Sequence, residues 1–378
     1  MKIKMFDLKI SDKSLKKKLH KSIDKVFNHG QFFLGPEVEE FEKKISQFIG
    51  TRYAVGVSSG SSALYLALKA VGIKKGDEVL TSPLSWIITS NAIVECGAKP
   101  VFVDVGNDLN IDPELLDKMI NKRTKAIVPM HYAGHVCNMK KIKQIAKRYK
   151  LKIIEDAAQS FGASLNKKKT GSFSDAASFS MNPMKTLSGY GENGVVVTNS
   201  KEIYKKLKIL RHAGTTSDPK KKITNYCLES SLNHKMDTIN ASLLLVALKS
   251  FKKKLKIKNK IANFYSQNLS SKISKQEDFL QKNEQHGRYV YPIIVENRDK
   301  LRKFLTDNEI ETKIFHLPLI NKSPFYIKNF GHYKMNNAER LIKKIIILPL
   351  NEKLIKRDLK YITNKINYFI INEKLQKI

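Results

Sequence analysis

Hydrophobic and polar positions along this chain follow two rhythms. Residues 12 to 30 keep a period of about 3.6 residues, which predicts an amphipathic helix ended by a loop over Gly30–Pro36. Pro36 then opens a helix over Glu37–Ile49, with Val38, Phe41, Ile45 and Phe48 on one face. Beyond it, short apolar runs predict strands at Tyr53–Val57, Glu78–Ser82, Pro100–Val105, Ala126–Met130, Lys152–Glu155 and Val195–Thr198. Helical patterns at Ser61–Val71, Trp86–Cys96, Asp112–Met119 and Asn138–Tyr149 lie between the first five. This alternation predicts an α/β fold: a mostly parallel central sheet, buried by helices on both faces.

Further along, Ser231–Ser250 reads as one long apolar helix leading into a lysine-rich helix from Phe251 to about Leu269. The change of domain is placed there. Residues 1–250 form a large unit and 251–378 a smaller α+β one, with the N-terminal helix a candidate to pack on the small unit. The small unit is expected to hold a strand at Arg288–Val295, a helix at Arg298–Asn308, a strand at Glu311–Phe315 and a final helix from about Leu354.

Composition narrows the class. With 378 residues and 42% hydrophobic content the chain can bury one large core and one smaller core. No stretch reaches the roughly 18 apolar residues of a membrane span, and the N-terminus lacks a secretory apolar region, so no membrane role is expected. Three cysteines without C-x-x-C spacing exclude a disulfide framework and a zinc site, and point to a reducing cytoplasm.

The net charge is +34, from 69 Lys+Arg against 35 Asp+Glu. These lysines are scattered over the whole chain, with no aromatic-interleaved platform, so a solvated surface is favoured over a nucleic-acid interface. The runs Lys16–Lys18, Lys167–Lys169, Lys220–Lys222 and Lys252–Lys254 read as loops or solvated helix faces. A basic surplus of this size would also help draw in a phosphorylated substrate.

The candidate chemistry gathers around one lysine. Lys185 sits among Ser178, Ser180 and Asn182, with Gly189, Gly191 and Gly194 close behind it. Small, uncharged neighbours suit a lysine held in a site, where a desolvated amine can form a Schiff base; a solvent-facing lysine is the plain alternative. Asp156 ends a predicted strand, where it can pair with a protonated ring nitrogen or merely cap the next turn. Gln159, three residues on, can bond a ring hydroxyl or continue a local network. Ser58–Leu64 leaves a strand and opens a helix, which makes either a phosphate cradle or an ordinary cap. Trp86, the sole tryptophan, can stack on a flat ligand or sit in the core. Lysine and carboxylate together suggest pyridoxal phosphate.

Several segments in order resemble the DegT/DnrJ/EryC1/StrS sugar aminotransferases, members of fold type I of the pyridoxal-phosphate enzymes. They are Gly35–Glu42, Gly50–Val57, Ser59–Leu64, Gly76–Val79, Glu155–Ser160, the Lys185 segment, Gly191–Gly194 and Met236–Ala241. The resemblance implies that Lys185 carries the Schiff base and shuttles the proton between the substrate α-carbon and the cofactor. It implies that Asp156 pairs the pyridine nitrogen, Gln159 the ring hydroxyl, and that Trp86 stacks on the ring. Gly60, Ser61 and Ser180 would bind the phosphate, while Asn233 and Lys235 match a segment that reaches the partner subunit's phosphate in relatives. A homodimer with shared sites follows. So does transfer of an amino group, from L-glutamate, to a keto-sugar, usually nucleotide-linked, in surface-polysaccharide or glycan biosynthesis.

The chain departs from the family pattern at Asn182, at Asn193 within Gly191–Gly194, at His212-Ala213-Gly214 and over Ile314–Leu319. These departures bear on the choice of donor and acceptor and leave the cofactor chemistry intact. Some relatives carry His in place of the lysine and act as dehydratases, against which Lys185 stands. A regulator built on the same fold is the other rival, and the retained Lys185, Asp156 and Gln159 weigh against it.

Overall fold

The protein is described as a computed structural model covering residues 2–218 and 223–375; the Lys220–Lys222 run lies outside them. Seven strands form its central sheet: β1 (Tyr53–Val57), β2 (Glu78–Thr81), β3 (Lys99–Phe102), β4 (Thr124–Val128), β5 (Lys152–Asp156), β6 (Ala176–Ser180) and β7 (Gly194–Thr198). Their order is β1-β7-β6-β5-β4-β2-β3. Only β7 runs antiparallel to its neighbours. Every residue of β2, β6 and β7 is buried, as a sheet covered on both faces requires.

The period of two along the strands divides the packing. Val128, Ile154 and Val196 join Leu64, Ala67 and Leu207 of the helices Gly60–Ala70 and Lys201–Arg211. Ile127 and Ile153 turn the other way, onto Ile142 and Ile145 of the helix Met139–Tyr149. Val195 and Val197 share that opposite side and meet Phe41 and Leu244. Helix starts fall where the sequence supplies caps. Ser59, Asn138 and Ser200 each accept a hydrogen bond from a first-turn N–H, and Pro36 opens Pro36–Ile49.

Four expectations change. The helix expected from Ser231 begins at Thr238, because Asn233–Asp237 runs extended and bridges Val57 and Phe33. From there it continues unbroken to Asn268 rather than as two helices. Its first half packs Ala241, Leu244 and Phe251 against the large core, its second half Ile261, Ala262 and Tyr265 against the small one. Glu311–Phe315 forms no strand. Lys313 makes only an isolated bridge to Ile347, and the small sheet is instead Ser274–Lys275, Tyr291–Ile294 and Ile345–Leu348. The run ending in Lys169 is a short hairpin strand rather than a loop, pairing Lys168–Lys169 with Ser164–Leu165.

A buried histidine ties the segment after β4 to the strand Glu284–Gln285. His135 Nδ1 lies 2.8 Å from Glu284 Oε1, its Nε2 is 3.4 Å from Asp108 Oδ2, and its ring stacks at 6.4 Å on His286. Burial alone would lower its pKa, but hydrogen bonds to Asp108 and Glu284 outweigh burial and push it up to about 9. His286 beside it is driven well below the usual range by burial, then by Arg288 and His135, and stays neutral. A folded-state pKa raised above the unfolded value stabilises the fold fully below about pH 6.5. That stabilisation, about 3 kcal/mol, is lost as pH rises through about 9. His135→Gln should therefore flatten the fall in melting temperature between about pH 6.5 and 9; an unchanged slope would refute the assignment.

Candidate active site

The carboxyl ends of the parallel strands meet at one edge, where open α/β sheets place ligands. Asp156 is the last residue of β5 and Ser180 the last of β6. Ser58–Gly60 follows β1, and the loop holding Trp86 follows β2. Lys185 lies on the connection from β6 to β7, whose reversed direction returns the chain to the same edge at Gly194.

A turn projects the lysine. Lys185 N donates to Asn182 O at 2.8 Å, Asn182 Oδ1 accepts from Met184 N at 3.0 Å, and Asn182 Nδ2 donates to Glu192. The Lys185 amine stands 4.7 Å over the ring of Tyr289 and donates no hydrogen bond among the described residues. Burial pulls its pKa below the ordinary lysine range, partly countered by the negative charges of Asp156 and Glu192. The amine is thus shifted toward its nucleophilic, neutral form while facing a carboxylate.

That carboxylate is fixed from both sides. Asp156 Oδ2 accepts from Thr89 Oγ1 at 2.7 Å, Thr89 Oγ1 lies 2.6 Å from Ser85 Oγ, and Asp156 Oδ1 accepts from Ala158 N at 3.2 Å. Each oxygen keeps a second lone pair for a ligand. Thr89 comes from the helix Ile88–Glu95, so the loop carrying Trp86 is anchored directly to Asp156. The ring of Trp86 is 62% exposed, which removes the core reading and leaves it open to a flat ligand.

Gln159 determines the state of a histidine that the sequence pattern did not single out. Its Oε1 accepts from Ala133 N at 2.7 Å, which turns its Nε2 toward His316 Nε2 at 3.3 Å. An amide nitrogen only donates, so His316 Nε2 must offer its lone pair. Burial, then the nearby Lys185, lowers the His316 pKa to about 3, so the ring is neutral and its proton sits on Nδ1. That Nδ1–H is buried without an acceptor, on a residue held at φ 63° with its ring edge-on to Tyr132 at 5.7 Å. An unpaired donor beside the lysine marks a ligand contact. The signal in sequence was faint: His316 lies in the very segment that departs from the family pattern. His316→Phe should weaken cofactor or substrate binding about tenfold, the value of one buried hydrogen bond. Titration of cofactor and of keto-substrate would check this; two unchanged dissociation constants would show that Nδ1 faces neither.

The helix Gly60–Ala70 supplies an anion cradle. Ser59 caps it by accepting from Ser62 N at 3.0 Å, leaving the N–H groups of Gly60 and Ser61 free. A Cβ at Gly60 would lie 2.5 Å from Ser180 Cβ, and one at Gly194 would lie 2.1 Å from Ser59 O. Glycine at both positions lets the helix start press against β6 and β7, bringing Gly60 onto Ser180. Ser61 is exposed beside them. Asn233 is also exposed, its Oδ1 accepting from Lys235 N at 3.2 Å, and Lys235 pairs with Val57 one residue before Ser58. His234 between them reaches Ser62 Oγ at 2.9 Å.

A free, desolvated amine, a carboxylate with lone pairs to spare and a glycine-lined cradle fit pyridoxal phosphate. A sheet in this order with those groups on its carboxyl edge is the frame of the fold type I pyridoxal-phosphate transferases. The chain belongs to the DegT/DnrJ/EryC1/StrS aminotransferase family, whose profile matches residues 13–367. It is a pyridoxal-phosphate-dependent aminotransferase.

Among its relatives is the UDP-2-acetamido-2-deoxy-3-oxo-D-glucuronate aminotransferase of Pseudomonas aeruginosa, 31% identical over 93% of this chain and 96% of that protein. Another, a pleiotropic regulatory protein of Geobacillus stearothermophilus, is 32% identical over 98% of this chain and 99% of its own. The fold superposes on S. venezuelae DesV, solved in complex with a ketimine intermediate, at a TM-score of 0.91. The two are 29% identical, over 97% of this chain and 98% of that one.

Proposed function

We propose that this aminotransferase moves an amino group from L-glutamate to a nucleotide-linked keto-sugar. The observation that carries the reading is the Lys185 amine, desolvated and facing Asp156, in a chain similar along nearly its full length to a UDP-3-oxo-sugar aminotransferase. Pyridoxal phosphate supplies the carbonyl that carries the amino group and the ring that holds the electron pair left by the departing α-proton. Asp156 would keep the ring nitrogen protonated, and Gln159 with His316 would orient the ring oxygen. Gly60, Ser61 and Ser180 would hold the phosphate, and Trp86 would lie against the ring. Lys185 would take the α-proton at its Nζ and return it. The regulatory relative favours a second reading, a sensor on the same frame, but a neutral-leaning lysine beside a fixed carboxylate suits turnover.

The working unit is a homodimer. Phe27, Phe32 and Phe33 are 59%, 43% and 68% exposed, and Leu232 beside Asn233 is 71% exposed. Four large apolar side chains in solvent suit a face covered by a second copy, which would bring Asn233 and Lys235 to the partner's phosphate. The domain division near residue 250 follows the change of core along the helix Thr238–Asn268. No described helix is long and apolar enough to cross a membrane. Three free cysteines suit a cytoplasmic setting.

The test is the holoenzyme with glutamate and a panel of 3-keto and 4-keto nucleotide sugars, following 2-oxoglutarate release. Release beyond one equivalent per site that depends on one keto-sugar supports the reading. A yellow protein whose colour glutamate does not bleach, with no release on any sugar, would overturn it.

A further inference from the structure

We infer that a concavity behind the active site, between the hairpin Ser164–Lys169 and the helix Thr238–Asn268, is a binding site for the phosphate chain of a small phosphorylated molecule. It is an open concavity of about 320 Å³ and shares no lining residue with the site around Lys185. Three lysines line it and no carboxylate does: Lys169, half-buried, from the hairpin, and Lys252 and Lys256, both exposed, from the helix. Lys252, Lys256 and Asn259 recur at i, i+4 and i+7, so one helix face presents all three. None of the three lysines enters an ion pair among the described residues.

The remaining polar groups are donors as well. Asn259 Oδ1 is spent on Arg288 Nε at 2.9 Å, and Gln285 Oε1 on Ser164 Oγ at 3.2 Å. Each amide oxygen is thus turned toward a protein donor, which leaves the NH₂ groups as donors for a ligand. The wall is apolar: Lys169 Nζ stands 4.8 Å over the ring of Phe48, which stacks on Phe161 at 5.0 Å. Like charges gathered in one concavity repel one another unless an anion joins them. The trace of that repulsion is at Lys169, whose amine is lowered first by burial and then by Lys252.

The donor set selects the ligand class. A carboxylate brings one charge and two oxygens, too few for three ammoniums and two amides. A pyrophosphoryl group brings at least two charges and six or so acceptor oxygens, and the cavity has room for it. Lys16–Lys18, by contrast, is exposed on the helix Lys13–His29 and lines no such concavity. This inference does not depend on which keto-sugar the enzyme uses.

The experiment is calorimetric titration of the pyridoxal-phosphate-loaded protein with inorganic pyrophosphate. The comparison is between the double variant Lys169→Gln/Lys252→Gln and a control of equal charge change, Lys16→Gln/Lys17→Gln. Saturable binding that weakens tenfold or more in the first variant and stays within twofold in the control is expected, with both variants melting as the parent does. A repeat with a nucleoside diphosphate separates sources: tighter binding through the same lysines assigns a nucleotide, equal binding the bare phosphate chain. No saturable binding, or equal weakening in both variants, overturns the site.

Discussion

Replacing Lys185 with Ala is expected to slow transamination by about 10⁴-fold or more, the upper range for loss of a positioned proton carrier. The amine donates no hydrogen bond among the described residues, is shifted toward neutrality by burial and feels the Asp156 carboxylate. Lys185→Arg separates proton transfer from charge. Arginine keeps a cation over Tyr289 but cannot give up its proton, so it should be as inactive as alanine. The measurement is the single-turnover reaction of each holoenzyme with glutamate. A rate for either variant within tenfold of the parent would remove Lys185 from the mechanism. The lowered pKa carries a second consequence. Apo-protein should capture pyridoxal phosphate, read as visible absorbance, at pH values where an ordinary surface lysine is already too protonated to react.

The lysine was legible in the sequence, and the reason is its company. A lysine among Ser180, Asn182 and three following glycines stands out from the charged and apolar surroundings of most lysines in this chain. Asp156 was legible because it closes the short β5 segment Lys152-Ile153-Ile154-Glu155-Asp156, at a strand's carboxyl end. Strands β1 to β5 were found where their apolar runs lie, since a doubly covered parallel sheet leaves an unbroken hydrophobic signature. What could not be read were contacts made across the chain. The hydrogen bond from Thr89 that fixes Asp156 spans 67 residues, and Gln159 meets His316 across 157. The extended run before Thr238 was hidden for the same reason: its apolar residues mimic a helix, and bridges to Val57, Phe33 and His212 hold it straight. Ile345–Leu348 is a four-residue apolar run too short for its period to tell strand from helix, and Tyr291–Ile294 beside it makes it a strand.

Asp156→Asn should lower the rate of the glutamate half-reaction by about 10²–10³-fold, the range for loss of one preorganised electrostatic contact. The local hydrogen bonds make this substitution a clean removal of charge. Ala158 N can only donate, so the Asn oxygen must stay on that side, accepting as Asp156 Oδ1 does at 3.2 Å. The new amide NH₂ then faces Thr89, whose hydroxyl can reverse and accept it, passing its own proton to Ser85 Oγ at 2.6 Å. Packing survives and the negative charge does not. Without that charge a ring nitrogen at the site loses its reason to stay protonated, and the ring weakens as an electron sink. The same charge also raises the Lys185 pKa against burial, so its loss should push the lysine amine still lower. Two independent readouts follow: a slower half-reaction, and cofactor capture by apo-protein that extends to more acidic pH. Thr89→Ala should show a milder form of the first, because it frees Asp156 Oδ2 without removing charge. An Asp156→Asn rate equal to the parent would show that the carboxylate serves the loop carrying Trp86 and not the chemistry.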